Sequence, residues 1–125
     1  MKMYGIKNCD TVKKARAWLD LHNVDYEFID FKKTPPSEGE IARWCHALGM
    51  NVVLNRRGTT WKNLTASERN SADSESGTIA ILVAHPSAIK RPIIETGSEI
   101  LIGFDEAAYQ TQILLRHSSI QRVKS

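Results

Sequence analysis

The chain has 125 residues, of which 42% are hydrophobic and 25% are charged, and its formal net charge is +3. This length fits one domain, since a second domain would have too small a core. The longest apolar stretch, residues 78–84, is too short to cross a membrane, and residues 1–10 hold no apolar segment of signal-peptide length. We therefore expect a single cytoplasmic domain over residues 1–118, with no membrane partner.

The excess positive charge lies at the C-terminal end. Arg116, Arg122 and Lys124 account for all of it, because the last ten residues contain no acidic side chain and the rest of the chain is neutral. We expect residues 119–125 to form a basic, disordered tail. A neutral body gives no reason to expect a nucleic-acid partner, and we expect a monomer.

The chain has two cysteines, Cys9 and Cys45, and neither belongs to a Cys-x-x-Cys pair. A structural disulfide is not expected in a reducing compartment. The four histidines are scattered without metal-ligand spacing, so we expect no metal site. Cys45 lies on the apolar stripe of a predicted helix, which indicates a buried and unreactive thiol.

The first elements in chain order form a βαβ unit. Residues 3–6 read as a strand, residues 10–22 as a helix with one apolar stripe, and residues 26–31 as a second strand. A crossover this short predicts parallel strands and a right-handed connection.

Helices dominate the middle of the chain, and a ββα unit closes it. Helices are predicted over 37–48, 65–70 and 74–85, and both Ser37–Glu40 and Thr65–Glu68 have capping-box spacing. Residues 55–60 read as a polar loop. Strands over 92–96 and 99–102 and a helix over 105–117 follow. The predicted class is α/β, a thioredoxin-like βαβ…ββα fold with an all-helical insertion between Pro36 and Pro86.

The candidate reactive group is the thiol of Cys9, which follows a strand and opens a helix. Free backbone N–H groups and the helix dipole at that position favour an anion such as a thiolate. Lys13, one turn further on, could lower the thiol pKa, whereas Asp10 opposes this effect. The alternative interpretation of Cys9 is a small apolar side chain that only packs.

Arg57 and Arg91 could complete an anion pocket, because guanidinium groups bind oxyanions and carboxylates in bidentate fashion. Arg91 directly precedes Pro92, and an X-Pro bond at a strand start can be cis. For each arginine alone, a solvated surface position is the alternative.

Three segments carry a family resemblance: YGIKNCDTVKKA at residues 4–15, LNRRGTTW at 54–61 and IKRP at 89–92. Together they resemble the arsenate-reductase-like (ArsC/Spx) family, most closely its YffB branch. The resemblance implies a thioredoxin-like fold, Cys9 as nucleophile, Arg57 and Arg91 as family arginines, and a cis Pro92. Asn8 and Lys13 lie in the first segment and join the predicted binding residues.

The YffB branch implies a glutathione-dependent thiol reductase. Glutathione would then be a co-substrate, the other partner would be a small-molecule or protein thiol, and no cofactor would stay bound. Two alternatives remain, an arsenate reductase and an Spx-like regulator that binds RNA polymerase.

The chain departs from these relatives at three positions. Phe104 stands where arsenate reductases have a third arginine, and Gly5 stands where some have a histidine. Val12 stands where Spx regulators have the second cysteine of Cys-x-x-Cys. The first two changes disfavour arsenate, and the third removes a dithiol switch.

Overall fold

A computed structural model describes residues 1–115. The predicted tail at 119–125 and the end of the last predicted helix lie outside the described residues. The strands are β1 (Lys2–Gly5), β2 (Glu27–Asp30), β3 (Ile93–Glu95) and β4 (Ile100–Ile102). The helices are α1 (Asp10–Leu21), α2 (Glu38–Leu48), α3 (Met50–Val53), α4 (Thr59–Lys62), α5 (Ala66–Asn70), α6 (Glu75–Ala84) and α7 (Glu106–Tyr109). Short 3₁₀ turns cover Ser71–Asp73 and Pro86–Ala88, and a π-helical segment covers Gln110–Leu115.

The strands form one mixed sheet in the order β2-β1-β3-β4. β1 and β2 are parallel, which confirms the predicted βαβ unit, while β3 runs antiparallel to β1 and to β4. Met3 on β1 lies opposite Phe28 on β2 and Ile94 on β3. This arrangement, with the helical insertion between β2 and β3, confirms the predicted thioredoxin-like α/β class.

The sheet separates two apolar clusters, because neighbouring strand residues point to opposite faces. Met3 and Ile94 face α1 and α7 in a cluster completed by Val12, Ala15, Trp18, Leu19, Tyr109 and Ile113. Tyr4 and Ile93 face the insertion and pack with buried residues such as Ile41, Trp44, Leu82 and Ile89. Each large apolar side chain buried in this way contributes roughly 1.5–3 kcal/mol. The sheet is therefore held between helices on both faces.

Two helices of the insertion begin at the predicted capping boxes. The N–H of Glu40 donates to Ser37 Oγ at 3.1 Å, and the N–H of Ser37 donates to Glu40 Oε1 at 2.9 Å. Thr65 and Glu68 exchange the same pair of bonds at the start of α5. Each box satisfies two backbone donors that the helix itself cannot pair.

Glu95 joins the sheet to the insertion. Its carboxylate accepts hydrogen bonds from the hydroxyl of Tyr4 at 2.7 Å, from Nε of Arg43 at 3.0 Å and from Nε1 of Trp44 at 3.2 Å. Burial acts to raise the pKa of Glu95, but hydrogen bonds from Tyr4, Arg43 and Trp44 outweigh it and hold the pKa below its ordinary value. The network fixes α2 against the end of β3.

Two predictions about local structure were wrong, and one element was not predicted. The loop predicted at 55–60 ends at Gly58, the N-cap of α4, and α3 is the element that was not predicted. The last predicted helix is α-helical only over Glu106–Tyr109 before the π-helical segment begins. Turns of four residues depend on contacts from distant parts of the chain, since so short a helix has little stability of its own.

Residues 1–115 include no helix of the length and apolarity that crossing a membrane requires.

Candidate active site

Cys9 is the N-cap residue of α1 and is half-buried. Its backbone is extended (φ −138°, ψ 123°), and the backbone oxygen of Cys9 accepts the Lys13 N–H at 2.9 Å. Gly5, at the end of β1, allows the helix to approach the strand. A Cβ atom added at Gly5 would lie 2.9 Å from Cγ2 of Val12. Close packing of strand and helix therefore presents the thiol at the first turn of α1.

The surroundings of Cys9 favour its thiolate. Burial acts to raise the pKa of Cys9, but the Val12 N–H, the hydrogen bonding and charge of Arg91, and the Thr11 N–H together lower it below its ordinary value. The helix N-terminus and one guanidinium therefore act together. Among the groups that contribute most to the lowered pKa of Cys9, the cation is Arg91 and not Lys13.

A backbone carbonyl group holds the guanidinium of Arg91 in place. Its Nη1 donates to the carbonyl oxygen of Ser87 at 2.7 Å, and its Nε is buried without a hydrogen-bond partner in the described part of the chain. The Arg91–Pro92 bond is cis, as the resemblance implies. The carbonyl oxygen of the buried Pro92 accepts the Gly103 N–H at 2.8 Å, which joins this segment to the end of β4.

Cys9 and Arg91 share a cavity of about 510 Å³. This size suits a small-molecule ligand. The cavity is lined by Cys9, Thr11, Asn55, Lys90, Arg91, Ile102, Gly103, Phe104 and Asp105. It therefore combines a thiol, two cations, one carboxylate and an apolar wall. We call it the thiol cavity.

Only part of the predicted site lies in the thiol cavity. Arg57 lines an adjoining cavity, together with Asn55 and Lys90. The exposed Asn8 and Lys13 are not among the residues that line the thiol cavity. Their predicted binding roles, like that of Arg57, remain predictions.

Sequence reasoning missed Lys90 and Asp105 as site residues. Lys90 is next to Arg91 in the chain, which is a signal that could have found it. Asp105 is the N-cap of α7, and its Oδ1 accepts the Ala108 N–H at 3.2 Å. Nothing in the local sequence shows that this cap faces Cys9.

Cys45 is separated from the site. It is 3% exposed and belongs to the apolar cluster on the insertion side of the sheet, whereas Cys9 packs against the opposite cluster. Burial raises the pKa of the Cys45 thiol, and the Glu75 carboxylate raises it further. The prediction that Cys45 is buried is confirmed, and the two thiols differ in environment as well as position.

Comparison with known proteins agrees with this fold. The ArsC family model matches residues 4–112, which include Cys9, Arg57 and Arg91. The chain belongs to the ArsC family. The resemblance noted in the sequence is thereby confirmed.

Relatives within the family differ in what is known of them. An uncharacterised protein of Haemophilus influenzae is 41% identical over 108 residues, which are 86% of this chain and 94% of that protein. A global transcriptional regulator Spx of Streptococcus pyogenes is 30% identical over 101 residues, 79% of this chain and 74% of that protein.

The solved structures that this chain resembles carry names from the same family. A YffB protein is 45% identical with a TM-score of 0.84, and the match covers 88% of this chain and 96% of that one. An ArsC-related protein of Brucella melitensis is 37% identical with a TM-score of 0.70, covering 88% and 91%. The arsenate reductase of Vibrio cholerae shares the fold. It is 23% identical with a TM-score of 0.66, and the match covers 80% of this chain and 87% of that one.

Proposed function

We propose that the protein is a glutathione-dependent thiol–disulfide oxidoreductase in which Cys9 is the nucleophile. The observation that carries this proposal is the position of Cys9 at the N-terminus of α1, in a cavity of ligand size that it shares with Arg91. The thiolate is the reactive form of cysteine, and a cation with a helix N-terminus is the environment that produces it at neutral pH.

The charges that line the thiol cavity match those of a glutathionyl group. Glutathione carries two carboxylates and one ammonium group at neutral pH. Lys90 and Arg91 supply cations for carboxylates, and Asp105 supplies a carboxylate for the ammonium group. Ile102 and Phe104 offer apolar contact to the rest of the peptide.

In the first half-reaction, the Cys9 thiolate attacks the glutathione sulfur of a mixed disulfide. A bond forms between Cys9 Sγ and that sulfur, the substrate's disulfide bond breaks, and the substrate leaves as a thiolate that takes a proton from water. In the second half-reaction, a glutathione thiolate attacks the same sulfur, and Cys9 leaves as a thiolate. The products are one reduced substrate thiol and one molecule of oxidised glutathione.

Mass spectrometry of Cys9 tests the proposal directly. The protein is incubated with oxidised glutathione, mapped by peptide mass, and then treated with reduced glutathione. We expect one glutathione on Cys9, removed by the second treatment, with Cys45 unmodified. Failure of Cys9 to accept glutathione, while a small alkylating reagent still modifies it, would refute the proposal.

A second candidate is a regulator that binds RNA polymerase. The likeness to a protein named as the transcriptional regulator Spx, at 30% identity, favours it. Val12 stands where the second switch cysteine would be, and its side chain is buried beneath α1, so any such binding would not depend on a dithiol there. Gel filtration with purified RNA polymerase tests this candidate. Co-elution that Cys9→Ser leaves unchanged would favour the regulator over the enzyme.

A further inference from the structure

A second cavity, of about 460 Å³, adjoins the thiol cavity. It is lined by Asn51, Val52, Leu54, Asn55, Arg56, Arg57 and Lys90. Three of these residues are cations, and none of these described lining residues is acidic. We call it the basic cavity. Its charge differs from that of the thiol cavity, which contains Asp105.

Arg56 is held in the basic cavity by neutral partners. Its Nη1 donates to Asn51 Oδ1 at 2.7 Å, and its guanidinium carbon lies 5.3 Å from the centroid of the Trp61 ring. Neither partner compensates the positive charge. Arg56 is exposed, and a guanidinium that these partners do not neutralise is suited to binding an anion in bidentate fashion.

The wall between the two cavities is built from paired backbone. Asn55 and Lys90 line both cavities. The Asn55 N–H donates to the carbonyl oxygen of Ala88 at 2.8 Å, and the Lys90 N–H donates to that of Val53 at 2.8 Å. Asn55 Oδ1 also accepts the Arg57 N–H at 3.1 Å. These hydrogen bonds fix the wall that the two cavities share.

We propose that the basic cavity binds the second glutathione, the one that attacks the disulfide between Cys9 and the first. This inference rests on the proposed function and deepens it. A single catalytic thiol requires two glutathione units at the site together, one attached to Cys9 and one incoming. The thiol cavity matches the attached unit, and the basic cavity matches an incoming molecule that is a net anion and becomes more negative as its thiolate.

The chemical step is disulfide exchange. The incoming glutathione thiolate forms a bond to the sulfur of the attached glutathione, and the bond from that sulfur to Cys9 Sγ breaks. Cys9 receives the electron pair and returns to the thiolate that Arg91 stabilises. Oxidised glutathione leaves, and no other oxidant or reductant is needed.

The test measures formation and reduction of the Cys9–glutathione adduct in Arg57→Gln and Arg56→Gln. The Cys9–glutathione adduct is first prepared with oxidised glutathione. Its reduction is then followed by stopped-flow mixing and intact mass, with reduced glutathione or with the uncharged thiol 2-mercaptoethanol. Arg69→Gln removes an exposed cation outside both cavities and serves as the matched control.

We expect each basic-cavity variant to lose roughly tenfold to a hundredfold in the second-order rate constant for glutathione. Its rate with 2-mercaptoethanol should match that of the unsubstituted protein. Adduct formation from oxidised glutathione is the reverse of the same exchange and should slow by the same factor. Equal losses with both thiols, no loss with either, or an unchanged rate of adduct formation from oxidised glutathione would each overturn the inference. If glutathione fails to reduce even the unsubstituted adduct, the proposed function itself fails.

Discussion

Arg91 supports the Cys9 thiolate while its own guanidinium is held by the carbonyl oxygen of Ser87 at 2.7 Å. The cation therefore does not depend on a ligand for its position. Because its charge already faces the thiol in the free protein, the acidity of Cys9 is a property of the unliganded site. This relationship leads to a direct test of the site.

Arg91→Gln should raise the pKa of Cys9, because it removes a charge and a hydrogen-bond donor that favour the thiolate. The rate of alkylation of Cys9 measured against pH gives this pKa. In the unsubstituted protein it should lie below the value of about 8.5 typical of a free thiol. Arg69→Gln should leave it unchanged. Titration of unsubstituted Cys9 at 8.5 or above would contradict the activated-thiolate interpretation.

The pKa shifts of Cys9 and Cys45 predict opposite effects of pH on the stability of the fold. The lowered pKa of Cys9 stabilises the fold above the pKa of the unfolded thiol, about 8.5, and this contribution is lost as pH falls through the folded value. The raised pKa of Cys45 acts the other way, so its contribution is lost as pH rises through the folded value. Urea unfolding of Cys9→Ser and Cys45→Ala between pH 6 and 10 should show these two slopes with opposite sign.

The two cysteines should also separate in activity. Cys9→Ser should abolish transfer of glutathione, since the hydroxyl is not ionised at neutral pH. Cys45→Ala should retain it and lose about 1–2 kcal/mol of unfolding free energy, because a small cavity replaces a buried sulfur. Turnover coupled to glutathione reductase measures the transfer, urea unfolding measures the free energy, and peptide mapping of oxidised protein locates any disulfide. A Cys9–Cys45 disulfide, with turnover lost in Cys45→Ala, would contradict the single-thiol mechanism.

Local signals account for the parts of the fold that the sequence predicts. The capping boxes at Ser37 and Thr65 require residues only three apart, and the apolar stripe of α1 repeats within the helix. The turn of α4 has no such signal. It is joined to the segment before Arg91 by a hydrogen bond of 2.7 Å between Thr60 Oγ1 and Ser87 Oγ, and a contact between distant segments leaves no local pattern.

The same distinction applies to the site. Cys9 is predictable because its place at the start of α1 is visible in the local sequence, whereas the contribution of Arg91 to its lowered pKa depends on the fold. Arg91 was found through its neighbour Pro92 and the family segment. Asp105 reaches the thiol cavity only because β4 returns beside β3, so its role depends on sheet topology. Arg57 is predicted as a binding residue from its charge and from the family segment, and it lines the basic cavity beside the thiol cavity.

Glu95→Gln should destabilise the protein in a pH-dependent way. At pH 7 the loss should be about 1.5–3 kcal/mol, as for hydrogen bonds to a charged group. Because the folded pKa of Glu95 is lowered, its contribution is present above the unfolded value of about 4.3 and is lost as pH falls through the folded value. The difference in unfolding free energy should therefore shrink in acid. A difference that does not change with pH would contradict a charged role for Glu95.

Substitution by alanine should have opposite effects on stability at Gly77 and at Gly39. A Cβ added at Gly77 would lie 1.8 Å from the carbonyl oxygen of Ser71, so Gly77→Ala should cost about 1–3 kcal/mol. At Gly39 the nearest atom would be Ser37 Oγ at 3.9 Å, and Gly39→Ala should gain up to about 1 kcal/mol from helix propensity. Chemical denaturation of both variants measures the pair. Equal effects would show that α6 moves away from Ser71.

Arsenate should be a poor substrate, because Phe104 lines the thiol cavity where arsenate reductases have a third arginine. Its ring packs edge-on against that of Tyr109, with 5.3 Å between the ring centroids, and the neighbouring Asp105 adds negative charge. Each missing charge-assisted hydrogen bond withholds about 1.5–3 kcal/mol from an oxyanion. We expect little arsenate turnover with glutathione and glutaredoxin. The turnover rate should increase in Phe104→Arg and should not increase in the control Phe104→Leu. Robust turnover by the unsubstituted protein would contradict the prediction and favour the arsenate reductase reading of the site.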